Sequence, residues 1–320
     1  MDMQVFDNLK DRLGSSVYSK RMRMQANRVA YKLSSKGTQV YWENFEPMYK
    51  VLRSLLKYSG FLNKAEQNTM DFSVEEVSVK LKRLPEKFHG YRVLHLSDLH
   101  IDFMHDEGSN LVEIIKSVDF DLCVITGDYR FHTAGVSDGV IDGMEKLMPS
   151  LECRDGVIGI LGNHDDLEIV PQLESLGINM LLNESAVLNK DEQTIWFAGV
   201  EDTHYYQTDD IDKAMAPVPS NDAVILLAHS PEIIDIADQV GVDYYLCGHT
   251  HGGQVCLPGG IPVITNARCK RKFVRGSWEF GNMKGYTSRG TGSSGLPVRI
   301  NCSPEITIHT LEKDGLPSVK

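Results

Sequence analysis

The fold of this chain is decided by five short stretches, each an apolar run that ends in polar side chains. They read HLSDLH (95–100), VITGDYR (124–130), ILGNHDD (160–166), LLAHSP (226–231) and LCGHTHGG (246–253). Near-continuous apolar runs predict strands that are buried on both faces. Ligands of open α/β sheets bind outside the carboxyl ends of such strands, so the five polar ends are expected to meet.

Seven of the side chains at these ends are typical metal ligands, namely Asp98, His100, Asp128, Asn163, His229, His249 and His251. Zinc sites usually take four protein groups, or three where they are catalytic, so seven are too many for one ordinary ion. Two ions that share a bridging carboxylate would use all seven. Mixed imidazole, carboxylate and amide ligands suit Mn, Fe or Zn better than Mg or Ca. The pattern therefore predicts a pair of divalent ions of the kind that acts on phosphate esters.

Strands and helices alternate around these stretches. Apolar runs predict strands at 91–97, 120–126, 157–162, 194–200, 223–229 and 243–248, with a first strand near 74–81 and later ones near 253–264, 285–289 and 305–311. Helical stretches are predicted between them, at 109–117, 137–147 and 167–176. This order predicts an α/β (or α+β) protein in which helices cover two sheets.

The ordered set D-x-H, G-D, G-N-H-D, H and G-H-x-H resembles the calcineurin-like metallophosphoesterases over about residues 90–255. The resemblance implies a four-layer fold, in which a two-sheet β-sandwich is flanked by helices. It also implies a first metal site made of Asp98, His100, Asp128 and His251. The second site would consist of Asp128, Asn163, His229 and His249, and a hydroxide held between the two ions would attack phosphorus.

Three more residues beside the ligands are assigned roles. By the same resemblance, His164 stabilises the phosphate oxygen or protonates the leaving group. Asp165 follows it and is expected to orient the imidazole, as carboxylates often do for catalytic histidines. Arg130 is a candidate for binding the substrate phosphate, since its fork suits phosphate oxygens, and it is equally a candidate for a plain surface arginine.

A finer resemblance lies after the last ligand. The segments HGGQVCLPG (251–259) and YTSRGTGSSGLPVRINCSPEIT (286–307) are similar to the YaeI/YkuE-type phosphodiesterases, whose relative LpxG hydrolyses UDP-2,3-diacylglucosamine in lipid A biosynthesis. This resemblance implies a phosphodiesterase or pyrophosphatase with a small-molecule or lipid-linked substrate. A lipid substrate further predicts that exposed Leu, Met and Tyr side chains of residues 40–62 face the metal cleft.

The first 70 residues differ in charge from the rest. They carry 12 Lys and Arg against 6 Asp and Glu, whereas the whole chain has a net charge of −11. Helical spacing of apolar residues predicts a basic helical extension over 1–70, followed by the metallophosphoesterase domain over 71–320. Two interpretations of the basic stretch 20–36 stay open: a solvated face of helices packed on the body, or an amphipathic surface that contacts anionic lipid.

Composition excludes several classes of protein. The acidic balance argues against nucleic acid as the main partner. The six cysteines form no C-x-x-C pair and are interpreted as reduced thiols. No signal peptide and no apolar run of about 18 residues is found. The expected location is therefore the cytoplasm, with peripheral contact at the inner face of the membrane if the N-terminal helices bind lipid.

Two other functions are compatible with the same ligands. One is a phosphomonoesterase that acts on protein or nucleotide, and the other is a non-catalytic scaffold that binds a single metal ion or no metal. The scaffold is disfavoured because every position of the ligand set is occupied by a competent side chain.

Overall fold

A computed structural model of the chain describes residues 3–34, 46–133 and 138–319. The described helices are α1 (Met3–Leu13), α2 (Ser15–Ser34), α3 (Glu46–Tyr58), α4 (Leu62–Gln67), α5 (Ser109–Ile115), α6 (Asp138–Leu147), α7 (Val170–Ser175), α8 (Ile211–Met215) and α9 (Ile234–Gln239). The described strands are β1 (Ser73–Leu81), β2 (Tyr91–Leu96), β3 (Leu122–Ile125), β4 (Val157–Gly159), β5 (Ile178–Met180), β6 (Glu184–Lys190), β7 (Gln193–Gly199), β8 (Ala223–Leu227), β9 (Tyr244–Cys247), β10 (Cys256–Leu257), β11 (Ile261–Pro262), β12 (Gly276–Phe280), β13 (Met283–Thr287) and β14 (Glu305–Lys313).

The first sheet has the strand order β1-β14-β2-β3-β4-β5. Strands β2 to β5 run parallel, because helices or long connections return the chain to the same edge each time. Leu96 pairs with Ile125, so β2 and β3 end level with each other. The loops that follow are joined directly, since the Asp98 N–H donates to the Gly127 carbonyl at 2.9 Å. Two ligand loops therefore leave the same edge side by side.

The second sheet has the order β12-β13-β9-β8-β7-β6. Strands β7, β8, β9 and β13 run parallel, and β6 and β12 close the two edges antiparallel to their neighbours. Leu227 pairs with Leu246, and the Gly248 N–H donates to the His229 carbonyl at 2.9 Å. This register brings the loops after β8 and β9 together at one edge.

The two sheets face each other across a layer of buried side chains, including Val93, Val124, Phe197, Ile225 and Leu246. Truncating a fully buried residue of this kind, such as Phe197, typically costs about 3–5 kcal/mol. A second apolar cluster joins the first sheet to α1, α5, α6 and α7, and a third joins the second sheet to α8 and α9. The predicted four-layer fold, in which a two-sheet β-sandwich is flanked by helices, is confirmed.

The N-terminal helices pack on this body. Leu9 and Leu13 of α1 are buried in the apolar cluster beside the first sheet. Arg12 anchors the same helix through ion pairs with Glu174 and Glu184 at 2.7 Å each. Helices are thus present in the described part of residues 1–70, whereas the domain division at residue 70 stays a prediction.

Three described strands were not predicted from the sequence, namely β5, β6 and β12. β5 is only three residues long, which is too short for a periodic signal. β6 is an edge strand whose side chains are exposed or half-buried, so it carries no continuous apolar run. The predicted helix at 137–147 is present from Asp138, and Ser137 lies outside the described residues.

Candidate metal centre

All seven predicted ligands meet at the carboxyl ends of the central strands of both sheets, and none is more than 6% exposed. Two neighbouring glycines leave the room that this requires. A Cβ on Gly248 would collide with the Asp98 carboxylate, and a Cβ on Gly162 would collide with the Asp128 carboxylate.

One half of the cluster is formed by Asp98, His100 and His251. The Nε2 atoms of His100 and His251 lie 3.3 Å apart, and His251 Nε2 lies 3.4 Å from Asp98 Oδ1. The three side chains form a group that could hold a metal ion. Their spacing matches the roughly 3.3 Å expected between two ligands that bind one ion tetrahedrally at about 2.0–2.1 Å.

The other half contains Asn163, His229 and His249. Asn163 Oδ1 lies 2.8 Å from His229 Nε2 and 2.9 Å from His249 Nδ1. Asp128 lies between the halves, since its Oδ2 is 3.4 Å from His229 Nε2 and 3.9 Å from His100 Nε2. The Asp128 carboxylate therefore lies within reach of both halves of the cluster.

Four imidazoles are oriented by backbone carbonyls that accept their outer N–H groups. His100 Nδ1 donates to the carbonyl of residue 130 at 2.7 Å, and His229 Nδ1 to that of residue 126 at 2.8 Å. His249 Nε2 donates to the carbonyl of residue 266 at 2.9 Å, and His164 Nδ1 to that of residue 131 at 2.6 Å. These bonds hold one N–H of each ring on the outside and turn the other nitrogen inward, where it can bind a metal ion or take up a second proton.

The backbone of the site is strained in a consistent way. Asp98, His100, Asp128, His249 and His251 all have positive φ, between 43° and 69°. This left-handed region is unfavourable for residues with a side chain, and such residues cluster at functional sites. The tight loops turn five ligands inward at once, which fits a centre built to hold cations.

The charges of the cluster also favour the binding of a cation. Burial alone would raise the pKa of Asp128, yet the imidazoles of His229, His164 and His100 hold it well below its ordinary value. Burial conversely disfavours the charged form of His229, but the Asp128 carboxylate raises the pKa of His229 well above its ordinary value. A divalent ion that bound here would compete with the proton that the Asp128 carboxylate favours on His229.

His164 lies at the edge of the centre. Its Nε2 is 3.9 Å from Asp128 Oδ2, and its ring is 5% exposed and lines the adjoining cavity. The distance also groups it with His100 and Asp128 as a trio that could hold an ion. Its place at the cavity wall suits a group that donates to a bound phosphate or to a leaving group.

Asp165 has a different role from the one predicted. Its carboxylate accepts N–H groups from the backbone of Asp128 at 2.8 Å, Tyr129 at 3.0 Å and Gly162 at 2.8 Å. The described contacts of this carboxylate are therefore with the two ligand loops and not with the His164 ring. Asp165 fixes the shape of the loop that carries Asp128.

Arg130 differs from one of its two predicted roles. Its guanidinium is buried and ion-paired with Asp166. It borders a separate surface pocket beside α2, with Met22 and Gln25 among the neighbours. What Arg130 gives the metal centre is its backbone carbonyl, which accepts from His100. The contact with substrate phosphate stays a prediction, whereas the alternative of a plain surface arginine is wrong, since Arg130 is 2% exposed.

A cavity of about 350 Å³ opens directly beside the metal ligands. Its floor is polar and includes Asp128, Asn163, His164, His249 and His251. Its walls are apolar and come from distant segments, with Val51, Leu52, Leu55, Val263, Ile264 and Leu296 among them. Apolar residues of 40–62 therefore face the metal cleft, while Met48 has no described side chain.

Sequence reasoning missed several residues that support the ligands. The His204 ring lies 4.2 Å from that of His249, and its Nδ1 is 2.6 Å from a Glu232 carboxylate oxygen. Arg299 is fully buried and donates to the carbonyls of residues 289 and 290 in the loop beside His251. His204 follows the end of β7, so the same strand-end rule that found the ligands could have found it.

Comparison with known proteins agrees with this geometry. Residues 91–253, just over half of the chain, match the family model described as calcineurin-like phosphoesterase. The chain belongs to this family. It is therefore a metallophosphoesterase, a hydrolase of phosphate esters that depends on divalent metal ions.

Relatives in this family cover most of the chain. An uncharacterized metallophosphoesterase of Bacillus subtilis, YkoQ, is 29% identical over 82% of this chain and all of its own length. A second from the same organism, YkuE, is 28% identical over 74% of this chain and 84% of its own. The phosphodiesterase YaeI of Escherichia coli is 29% identical over 68% of this chain and 81% of its own. The similarity to the YaeI/YkuE group is confirmed.

No helix in the described ranges is long and apolar enough to cross a membrane. The six cysteines are all free thiols, and Cys123, Cys247, Cys256 and Cys302 are buried.

Proposed function

We propose that this enzyme is a phosphodiesterase or pyrophosphatase whose substrate carries an apolar group beside the phosphate. The observation that carries the proposal is the cavity, because its apolar walls adjoin the polar floor that holds the metal ligands. A pocket with apolar walls and a few convergent polar groups suits a ligand with both characters. The relative YaeI is itself a phosphodiesterase, which supports a diester as substrate.

The proposed centre holds two ions of Mn, Fe or Zn. Asp98, His100, Asp128 and His251 would hold one ion, and Asp128, Asn163, His229 and His249 the other. When bound, such ions polarise phosphoryl oxygens and lower the pKa of water. His164 would donate a proton from Nε2 to a phosphate oxygen or to the leaving group. Its Nδ1 bond to the carbonyl of Phe131 holds the ring in place for that transfer.

Within this class, we propose a diacylated sugar nucleotide such as UDP-2,3-diacylglucosamine, because it joins a pyrophosphate to apolar chains as the cavity joins a polar floor to apolar walls. Its pyrophosphate would lie on the metal floor and its acyl chains along α3, where Val51 and Leu55 are 60% and 64% exposed. Cleavage would give a lipid monophosphate and UMP. Burying such side chains against an acyl chain contributes about 25 cal/mol per Å² of apolar surface.

The test compares matched substrates with Mn²⁺ present. Turnover of the diacylated sugar nucleotide is expected to exceed that of its deacylated form at equal concentration, through a lower KM. Equal kcat/KM for the diacylated and deacylated forms would contradict the proposal that the substrate is a lipid. A bis-aryl phosphate should be hydrolysed faster than a mono-aryl phosphate, and the opposite order would favour the phosphomonoesterase.

If EDTA changes no property and no metal binds, the scaffold interpretation is correct.

The proposed partner is the surface of an anionic membrane, which would be contacted beside the cavity mouth. Val51, Leu55 and Tyr58 form an exposed apolar stripe on α3, and Tyr58 is 90% exposed. The segment 254–278 supplies several cavity-lining residues and contains three Arg and two Lys but no Asp or Glu. Apolar side chains within a basic surface are typical of peripheral membrane contact.

This contact differs from the one first considered for residues 20–36. Arg21 and Arg28 of that stretch are buried, and the side chains of Lys32 and Lys36 lie outside the described residues. Flotation with vesicles that contain 30% anionic lipid, compared with neutral vesicles, tests the contact at α3. Equal flotation of wild type and the Tyr58→Ser, Leu55→Ser variant would contradict it.

A further inference from the structure

Helix α2 carries a buried polar stripe on one face. Arg21, Gln25 and Arg28 stand at spacing i, i+4 and i+7, which places them in line along the helix. They are 0%, 6% and 5% exposed. A stripe of this kind inside a protein needs polar partners, since a buried charge without them is strongly unfavourable.

The partners are the backbone of the loop that carries Asn163 and His164. The Arg21 guanidinium donates to the carbonyl of Asp165 at 2.9 Å, and the Arg28 guanidinium donates to the carbonyl of Asn163. These two carbonyls lie on either side of His164. Gln25 extends the contact by accepting the Leu167 N–H at 3.1 Å.

Each guanidinium is itself held in place. Arg21 is paired with Glu201 at 3.3 Å and stacks on the Tyr206 ring, 3.3 Å from its centroid. Arg28 stacks on the Tyr205 ring at 4.1 Å and lies 3.3 Å from the Tyr206 hydroxyl. Ring stacking and ion pairing restrict the two guanidinium groups, so their N–H donors point toward the loop in fixed directions.

We propose that Arg21 and Arg28 of α2 are positioning residues for the metal ligand Asn163 and for His164. The inference rests on the ligand assignment proposed above. Rotation of the peptide after Asn163 would move its side-chain oxygen away from His229 and His249, and the Arg28 bond opposes that rotation. Outer groups that orient ligands typically change metal affinity by about 10- to 100-fold.

Arg12 provides a matched control. It also anchors an N-terminal helix through a guanidinium, but its partners are Glu174, Glu184 and the carbonyl of Met180, which lie outside the metal centre. Loss of Arg12 should lower the Tm as loss of a helix anchor does. It should leave the metal centre unchanged.

Mn²⁺ alone is titrated by calorimetry into metal-stripped full-length wild type and variants. The Tm of each metal-free variant is measured separately. Arg28→Met is expected to weaken Mn²⁺ binding roughly tenfold or more, and Arg28→Lys, which keeps the charge and one donor, should recover part of that loss. In assays, Arg28→Met should lower kcat with little change in KM. Arg12→Met should lower the Tm and bind Mn²⁺ as wild type does.

Two results would overturn the inference. The first is wild-type Mn²⁺ affinity in folded Arg28→Met, or in Arg28→Lys if the methionine variant does not fold. The second is an equal loss of affinity in Arg12→Met, which would show a general effect of helix anchoring. Because no substrate is present, these results are independent of the lipid proposal, and failure of wild type to bind Mn²⁺ would instead reject the metal centre and the inference together.

Discussion

The floor and the rim of the cavity are built from different kinds of sequence. The floor consists of buried ligands that each follow directly on a central strand, such as Asp128 after β3 and His229 after β8. The rim consists of exposed apolar residues from α3 and from the β10–β11 region, such as Leu55 and Val263. The two rim segments are about 200 residues apart in the chain, yet they line one cavity.

The difference separates chemistry from selectivity. Floor residues are held by backbone hydrogen bonds on strand ends, which keeps them rigid enough for metal binding and proton transfer. Rim residues such as Leu55 and Val263 are more than half exposed, so they can vary without disturbing the floor. Changes to the floor are therefore expected to act on every substrate, and changes to the rim on apolar substrates alone.

The largest expected effect comes from Asp128, which lies between the two halves of the floor. Asp128→Asn removes the charge that both halves share, so turnover of any phosphodiester should fall on the order of 10³-fold or more. Metal content, measured by atomic emission, should fall with it. Full retention of metal in this variant would show that Asp128 does not bridge two ions.

His164 tests a floor residue that acts without being needed for metal binding. His164→Asn should lower kcat by roughly 10²- to 10⁴-fold, the range for a positioned proton donor. Metal content should equal that of wild type. A variant with less metal would mean that His164 is a ligand, as its distance to Asp128 also permits.

Leu55 tests the rim. Leu55→Asp should reduce kcat/KM for the diacylated substrate roughly tenfold, because an acyl chain loses its apolar contact. Hydrolysis of a bis-aryl phosphate should be unchanged. Ile236→Asp on α9, where the side chain is 46% exposed on another surface, is the matched control and should alter neither substrate. Equal losses for both substrates would show that Leu55 affects catalysis in general and not only the binding of an apolar substrate.

The smallest expected effect is the pH dependence of metal binding at the floor. The pKa of His229 is raised in the metal-free protein by Asp128, so protonation there stabilises the fold at low pH and this contribution is lost as pH rises through the raised pKa. Metal requires the neutral imidazole, so affinity should rise with pH, by at most about tenfold per unit for one proton. Calorimetry in buffers of different ionisation enthalpy should detect the released proton, and no proton release would contradict the assignment.

The two N-terminal helices α2 and α3 were the hardest to predict. The basic stretch of α2 suggested a solvated or lipid-facing surface, but Arg21 and Arg28 turn inward to partners more than 130 residues away. The apolar spacing of α3 predicted a helix, and only the assumption of a lipid substrate placed its apolar face at the cleft, where Val51 and Leu55 are exposed. Charge and periodicity describe a helix face, and they do not tell which neighbour will cover it.

The sequence by itself determined the floor. Each of the seven predicted ligands follows a local rule, in which an apolar run forms a buried strand and the next few residues lie at its carboxyl end, so order along the chain was enough to predict that the seven side chains meet. Tertiary structure alone decided the contacts of Asp165 and Arg130, the inward turn of α2 and the meeting of α3 with the segment around Val263 in one cavity. These depend on contacts between residues far apart in the chain, and such contacts arise from packing of whole elements that no local pattern records.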